Sequence, residues 1–328
     1  MPVPMKAGTV LRKRYQVKKI IGQGGMGCIY LADDLRLEGR LCAIKEVEYD
    51  RALPEEMLNE ARNQFQREAT VLARLDHPNL PKVSDFFSIG DHDYLVMDFV
   101  PGKDLRQLMM EARQNGTFLP EEEVLDWASQ LADALKYLHT QDPPIVHRDI
   151  KPSNLKLMPS GLVKLVDFGL VKTLAPGEVT ITIMQGQGTA LYTPLEQYGG
   201  DSGHTDARSD IYAFGGTLYH LLTNEPPVNV RDRFLDPDAL TPIRQINSDV
   251  SVRTERAVHW ALRLHPEDRP DTIDTFLKAL FIEDAPITQP FRSTRFSAKL
   301  VQTPERALIY VAGGLMVVSL LLTLLRNF

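Results

Sequence analysis

The stretch GQGGMG, residues 22–27, lies between two segments of alternating apolar and polar residues, and this placement restricts the fold more than any other feature of the chain. Glycine has no Cβ, so such a stretch accepts positive φ and lets a ligand approach the backbone closely. A dinucleotide-binding βαβ turn would need a helix directly after the glycines and an acidic residue about 20 positions on. Glu46 and Glu48 stand at that distance, but the intervening CIYLADD and RLCAIKEVEY read as strands, as does the preceding YQVKKIIG. The glycines therefore occupy a turn between strands, with Lys45 on the strand that follows.

Beyond these strands the pattern changes period. Residues 54–75, opening on Pro54, Glu55 and Glu56, predict a helix that HPNLPK interrupts. VSDFFSIG and DYLVMDFV predict two more strands, and after PGKDL the chain turns helical. In residues 119–140, Val124, Trp127, Ala128, Leu131, Leu135 and Leu138 recur at spacings of three and four and mark one buried face. SDIYAFGGTLYHLLT is apolar on almost every side, which predicts a helix enclosed by others. SVRTERAVHWALRL and DTIDTFLKALFI predict the last two helices, with Trp260, like Trp127, as a core residue. The fold class is α+β, and 328 residues suffice for a sizeable core. A net charge of −6 opposes bulk attraction to nucleic acid. Cys28 and Cys42 are too few for a disulfide framework or a zinc site, which points to a reducing compartment.

Phosphoryl transfer from ATP needs a cover for the phosphates, a fixed cation on them, oxygen ligands for Mg²⁺, and a carboxylate at the attacking hydroxyl. The chain carries them in order: Gly22, Gly24 and Gly27 in GxGxxG, with Gly25 between; Lys45 in CAIKE; His147, Arg148, Asp149, Lys151 and Asn154 in HRDIKPSN; and Asp167, Phe168 and Gly169 in VDFG. In these motifs the chain resembles the eukaryote-like protein kinases, and GQGGMGCIYLA resembles the glycine loops of their bacterial serine/threonine branch. The resemblance covers Tyr15 to Ile282, about four-fifths of the chain. It implies a bilobal kinase fold: an extension over 1–14, a small β-rich N-lobe with one helix over about 15–97, a hinge at 98–102, and a larger helical C-lobe over about 103–282.

Position by position, the resemblance implies that Lys45 pairs the α and β phosphates and is held by Glu68, which is central in the first helix, whereas Glu60 lies two turns earlier. Asp149 would orient the substrate hydroxyl and accept its proton, Lys151 would stabilise the transferring charge, and Asn154 and Asp167 would bind Mg²⁺, or Mn²⁺ in its place. Adenine would lie between Ile29 and Ala43 above and Leu155 or Leu157 below, with backbone contacts from Asp98 and Val100 and with Met97 as gatekeeper. Asp210 would brace the catalytic loop, and Glu196 would pair with Arg269. The family's APE motif is altered here to Pro194, Leu195, Glu196, which leaves the shape of the adjoining substrate groove open. The segment from Gly169 to Glu196 contains Thr173, Thr180, Thr182 and Thr189. Arg148 is placed to pair a loop phosphate, so autophosphorylation is expected at Thr180 or Thr182 through self-association, whereas Thr189 resembles the threonine that contacts Asp149 and Lys151.

The C-terminal region carries a different signal. Ala307 to Leu325 runs 19 residues without a charge, preceded by a linker over 283–306 and followed by RNF. As a helix it would span roughly 28 Å, close to a hydrocarbon core. The linker is net +3 over residues 286–306, against Arg326 alone beyond the run, which predicts a single-pass anchor in the cell membrane with the kinase domain cytosolic, and no sensor domain outside. The N-terminal residues lack the apolar core of a secretory signal. The expected partners are protein substrates and the bilayer. A catalytically silent kinase fold serving as membrane scaffold or nucleotide sensor is the alternative, disfavoured because no catalytic position is missing. A small-molecule kinase is disfavoured by Lys151 and the long segment ending in Glu196.

Overall fold

The computed structural model describes residues 4–24, 27–49, 54–167, 172–173, 190–198, 205–236 and 238–282. The N-lobe is an antiparallel sheet of β1 (Val10–Leu11), β2 (Tyr15–Gly24), β3 (Gly27–Asp34), β4 (Leu41–Glu48), β5 (Val83–Ile89) and β6 (His92–Asp98), ordered β1-β2-β3-β4-β6-β5, with helix α1 (Glu55–Arg74) inserted before β5. Side chains alternate across a strand, and β4 shows the consequence. Cys42 and Ile44 join Tyr15, Val17, Tyr30, Phe87, Tyr94 and Val96 in a cluster on the outer face, while Ala43 and Val47 join the main core with Phe65, Ala69 and Leu72 of α1. Lys45 shares the parity of Ala43 and Val47 and so faces the core side. The sheet begins before Tyr15: Leu11 is buried and pairs with Tyr15, and the Met5 N–H donates to the Tyr30 hydroxyl, so residues 5–11 belong to the lobe.

Residues 99–102 connect β6 to β7 (Lys103–Asp104), which begins the C-lobe. Gly102 has φ +110°, and a Cβ there would lie 2.0 Å from the Leu157 carbonyl oxygen. The connection thus runs against β9 (Leu155–Leu157), which pairs with β7 and β10 (Val163–Leu165). Helix α2 (Leu105–Gln114) opens with a capping box between Asp104 and Gln107. Around α4 (Ala207–Thr223), buried from Ser209 to Thr223, pack α3 (Glu121–His139), α7 (Val252–Ala261) and α8 (Ile273–Phe281). Phe214 meets Phe276 edge to face at 5.2 Å. Gly215 lets α7 approach, since a Cβ there would sit 2.8 Å from the Ala261 Cβ. Trp127 is core, whereas Trp260 is half-buried, its indole N–H donating to the Asp268 carbonyl at 2.9 Å.

Three further pieces escape a periodic reading because they are too short to have a period: β8 (Ile145–Val146) paired with β11 (Lys172–Thr173), α5 (Val230–Leu235) and α6 (Ile243–Ile246). No helix among the described residues is long and apolar enough to cross a membrane; the run 307–325 and its linker lie outside those residues.

Candidate active site

The loop between β8 and β9 is shaped from below. Asp210, fully buried on α4, accepts the His147 and Arg148 backbone N–H groups, each at 2.8 Å, and the His139 Nε2 proton at 2.8 Å. Burial would raise its carboxyl, but the hydrogen bond and charge of His139 outweigh it and hold the group below the usual range. These bonds fix Arg148 at φ +67°, a left-handed conformation that costs a side-chain-bearing residue about 1–3 kcal/mol. The expected brace is therefore present. Its His139 arm was missed, because a histidine eight residues before His147 carries no motif.

Asp149 projects from the braced loop. Lys151 Nζ bonds both its carboxylate oxygens at 2.9 Å, and Asn154 Nδ2 donates to its Oδ2 at 2.9 Å and to its carbonyl at 2.8 Å. With the amide nitrogen spent on Asp149, the Asn154 Oδ1 is what that side chain can offer to a cation. The Asn154 carbonyl accepts the Val166 N–H at 2.8 Å, which brings the next residue, Asp167, beside it. Lys45 reaches Asp167 Oδ1 at 2.5 Å, and its charge is the main reason that the carboxyl lies below its ordinary range. Residues expected to act separately on phosphate and metal thus neutralise each other across 122 positions of sequence.

The N-lobe supplies the cover. Gly24 pairs with Gly27, Gly22 with Ile29, and Ile29 with Lys45, so the glycine turn and the lysine are two strands apart in one register. Gly27 has φ +148°, and a Cβ there would lie 2.0 Å from the Glu46 carbonyl oxygen, so no larger residue fits. Gly25 lies outside the described residues. Ala43, Met97 and Leu155 are buried in the main core, with Ile29 and Leu157 packed against it, matching the apolar surfaces expected around adenine. The Asp98 N–H is taken by the Lys82 carbonyl at 3.0 Å and its carboxylate reaches Arg40 at 3.4 Å, which leaves its carbonyl as the group it can offer; Val100 is buried. On α1, Glu68 is on the buried face and accepts from Gln64 at 3.0 Å, whereas Glu60 is exposed. The end of α1 is tied to the C-lobe by Asn79, whose amide donates to the Val163 carbonyl at 2.7 Å and whose carbonyl accepts the Leu165 N–H at 2.8 Å. The HPNLPK stretch thus does more than interrupt a helix.

Glu196, on a short 3-10 turn entered from Pro194, receives both arms of Arg269, at 2.7 and 3.1 Å, and the Ser209 hydroxyl at 2.7 Å. Arg269 also donates to the carbonyls of Arg208, Arg263 and Leu264 and lies 4.8 Å over the Tyr212 ring. The shifted proline leaves this anchor intact. Burial lowers the Arg148 guanidinium to about 10, and its Nε has no hydrogen-bond partner among the described residues. Phe168, Gly169, Thr180, Thr182 and Thr189 lie outside those residues, as does the side chain of Thr173.

The protein kinase domain model matches residues 15–286, and the chain belongs to that family. It is 33% identical over 280 residues to a probable serine/threonine-protein kinase of Clostridium acetobutylicum, covering 83% of this chain and 40% of that protein. It is also 34% identical over 273 residues to the serine/threonine-protein kinase PknB of Mycobacterium leprae, covering 80% and 42%. The chain thus spans about two-fifths of the length of these relatives. Among solved structures, the apo form of PpkA matches with a TM-score of 0.67 at 28% identity, covering 84% of this chain and 99% of that one. The PknI kinase domain of Mycobacterium tuberculosis matches with a TM-score of 0.65 at 28% identity, covering 85% and 98%.

Proposed function

We propose that this chain is an ATP-dependent serine/threonine protein kinase that transfers the γ-phosphoryl group to Ser and Thr hydroxyls of proteins. The observation that carries this reading is the convergence of Lys45, Asp149, Lys151, Asn154 and Asp167 within one chain of hydrogen bonds on a braced loop. Asp149, held on both oxygens, presents a fixed carboxylate to an incoming hydroxyl; a carboxylate is a weak base, so its contribution is mainly orientation. Lys151, 2.9 Å from Asp149, holds a positive charge beside the position where negative charge develops. Lys45 gives up part of its bond to Asp167 for the α and β phosphates, with Glu68 as its partner from α1. Asn154 Oδ1 and the ionised Asp167 would hold Mg²⁺, which when bound neutralises the phosphate oxygens. No group of three or more His, Cys, Asp or Glu residues suited to a metal occurs among the described residues, which fits a cation that takes its remaining ligands from phosphate and water.

The proposal extends to regulation and location. Arg148, buried with an unpartnered Nε, suits a phosphate on the loop, and autophosphorylation at Thr180 or Thr182 through self-association would supply one. The uncharged run 307–325 is read as a membrane anchor with the kinase domain cytosolic, supported by the basic linker before it. Incubation of the full chain with ATP, Mg²⁺ and a generic protein substrate, followed by phosphopeptide mapping, tests the activity: phosphoserine or phosphothreonine on substrate and loop is expected. Nucleotide binding without any transfer would favour the silent scaffold. Alkaline extraction of membranes carrying the full chain tests the anchor, which predicts retention in the pellet.

A further inference from the structure

Next to the catalytic loop the C-lobe carries cations for which the site above has no use. Helix α2 packs against both the Pro152–Asn154 turn, directly after Lys151, and α4. Arg106 and Arg113 are seven residues apart, two turns of one helix face, and both are exposed. Arg113 is fixed by a bond to the Asn224 carbonyl at 3.4 Å, and the Asn224 amide donates to the Thr117 carbonyl at 2.9 Å. One turn back along α4, His220 Nδ1 lies 2.5 Å from the hydroxyl of Tyr192, in the segment that leads to the Glu196 anchor. Burial first, and then the charges of Arg106 and Arg113, hold His220 neutral, its pKa lowered to about 4, which places both arginines within electrostatic reach of this bond. Nearby carboxylates are engaged elsewhere: Asp104 caps α2 and Glu111 takes the Lys103 amine at 2.7 Å. Glu225, exposed after Asn224, is the opposing charge on this side. Among the described residues Arg106 has no hydrogen bond or ion pair.

A hydroxyl that reaches Asp149 must arrive between α2 with its adjoining turn and the 190–198 segment, past Tyr192, His220 and the two arginines. We infer that Arg106 and Arg113 form an acid-selecting lip, so that protein substrates carrying Asp, Glu or phosphorylated side chains near the acceptor hydroxyl are preferred over neutral or basic ones. The inference rests on the protein kinase reading. Exposed ion pairs are worth little singly, so the selection comes from two cations acting together and weakens with salt.

The test is a set of threonine peptides identical except for acidic, neutral or basic residues flanking the acceptor, assayed with the full chain and with Arg106→Glu and Arg106→Glu/Arg113→Glu. The expected wild-type kcat/KM is about 10-fold higher for acidic than for neutral peptides, with the preference lost in the single variant and inverted in the double. Activity on the neutral peptide should change less than twofold, which shows that the variants are folded and catalytically competent. A wild type indifferent to peptide charge, or a double variant that keeps the acidic preference, would overturn the inference while leaving the kinase reading in place. Transfer to none of the peptides by wild type would overturn both.

Discussion

Two carboxylates, Asp210 and Asp167, are both held below the ordinary range by cationic partners, yet they do opposite work. Asp210 is fully buried, and all of its donors come from the framework: two backbone N–H groups and His139. Glu196 is its companion, enclosed by Arg269 and Ser209. Asp167 sits at the cleft with a side chain 31% exposed, bound to a lysine on the other lobe. The difference teaches how to tell scaffold from chemistry in this chain. A carboxylate whose partners are backbone groups and buried arginine fixes a shape, whereas one whose partner is a single movable ammonium can exchange it for a ligand.

The comparison predicts opposite outcomes for changes at the two places. Lys45→Ala at the cleft should reduce phosphoryl transfer by about 10²–10⁴-fold, the range in which loss of a charge-stabilising group falls. Because a partly exposed pair contributes about 0–1 kcal/mol, its urea-unfolding free energy should move by no more than that. Arg269→Ala should do the reverse and destabilise the fold by about 3–5 kcal/mol, since it leaves Glu196 buried with an unpaired charge. Urea denaturation measures this, and Glu196→Gln/Arg269→Ala should recover part of the loss. Equal stability losses at the two sites would break the distinction.

The division also shows what could be read from residue order. The helix expected over 54–75 spans Glu55–Arg74, and the expected strands agree to within a residue or two at most ends, because a repeat of 3.6 or 2 over seven or more residues is a physical record of one buried face. The catalytic motifs were equally legible, each being a short segment whose chemistry stays local. Bonds between distant segments were not. Lys45 with Asp167, Asn79 with β10 and His139 with Asp210 join residues 122, 84 and 71 positions apart, and no periodicity records such a pairing. Glu68 is intermediate: its central place in α1 suggested it, and burial now separates it from exposed Glu60.

Smaller effects sharpen the contrast further. Gly27→Ala would drive a Cβ into the Glu46 carbonyl, so the turn must shift, and nucleotide affinity measured by calorimetry should weaken by about 1–3 kcal/mol, the scale of a strained backbone position. His220, by contrast, is framework that titrates. Its pKa is lowered from 6.5 to about 4, by burial and then by Arg106 and Arg113, so the unfolded chain binds the proton more readily. Its contribution to stability is therefore complete above about pH 6.5 and is lost as pH falls toward about 4. Thermal unfolding followed from pH 7.5 to 5 should show a decline in Tm that flattens in His220→Gln; an unchanged slope would remove His220 from the account.

The central claim is that Asp149 orients an acceptor hydroxyl within a site whose nucleotide contacts lie elsewhere. The direct measurement compares wild type and Asp149→Asn for MgATP binding by calorimetry and for transfer of labelled γ-phosphate to a threonine peptide. The account predicts MgATP affinity within about threefold of wild type, with transfer reduced by about 10²–10⁴-fold. An Asp149→Asn protein that phosphorylates the peptide as fast as wild type would contradict it.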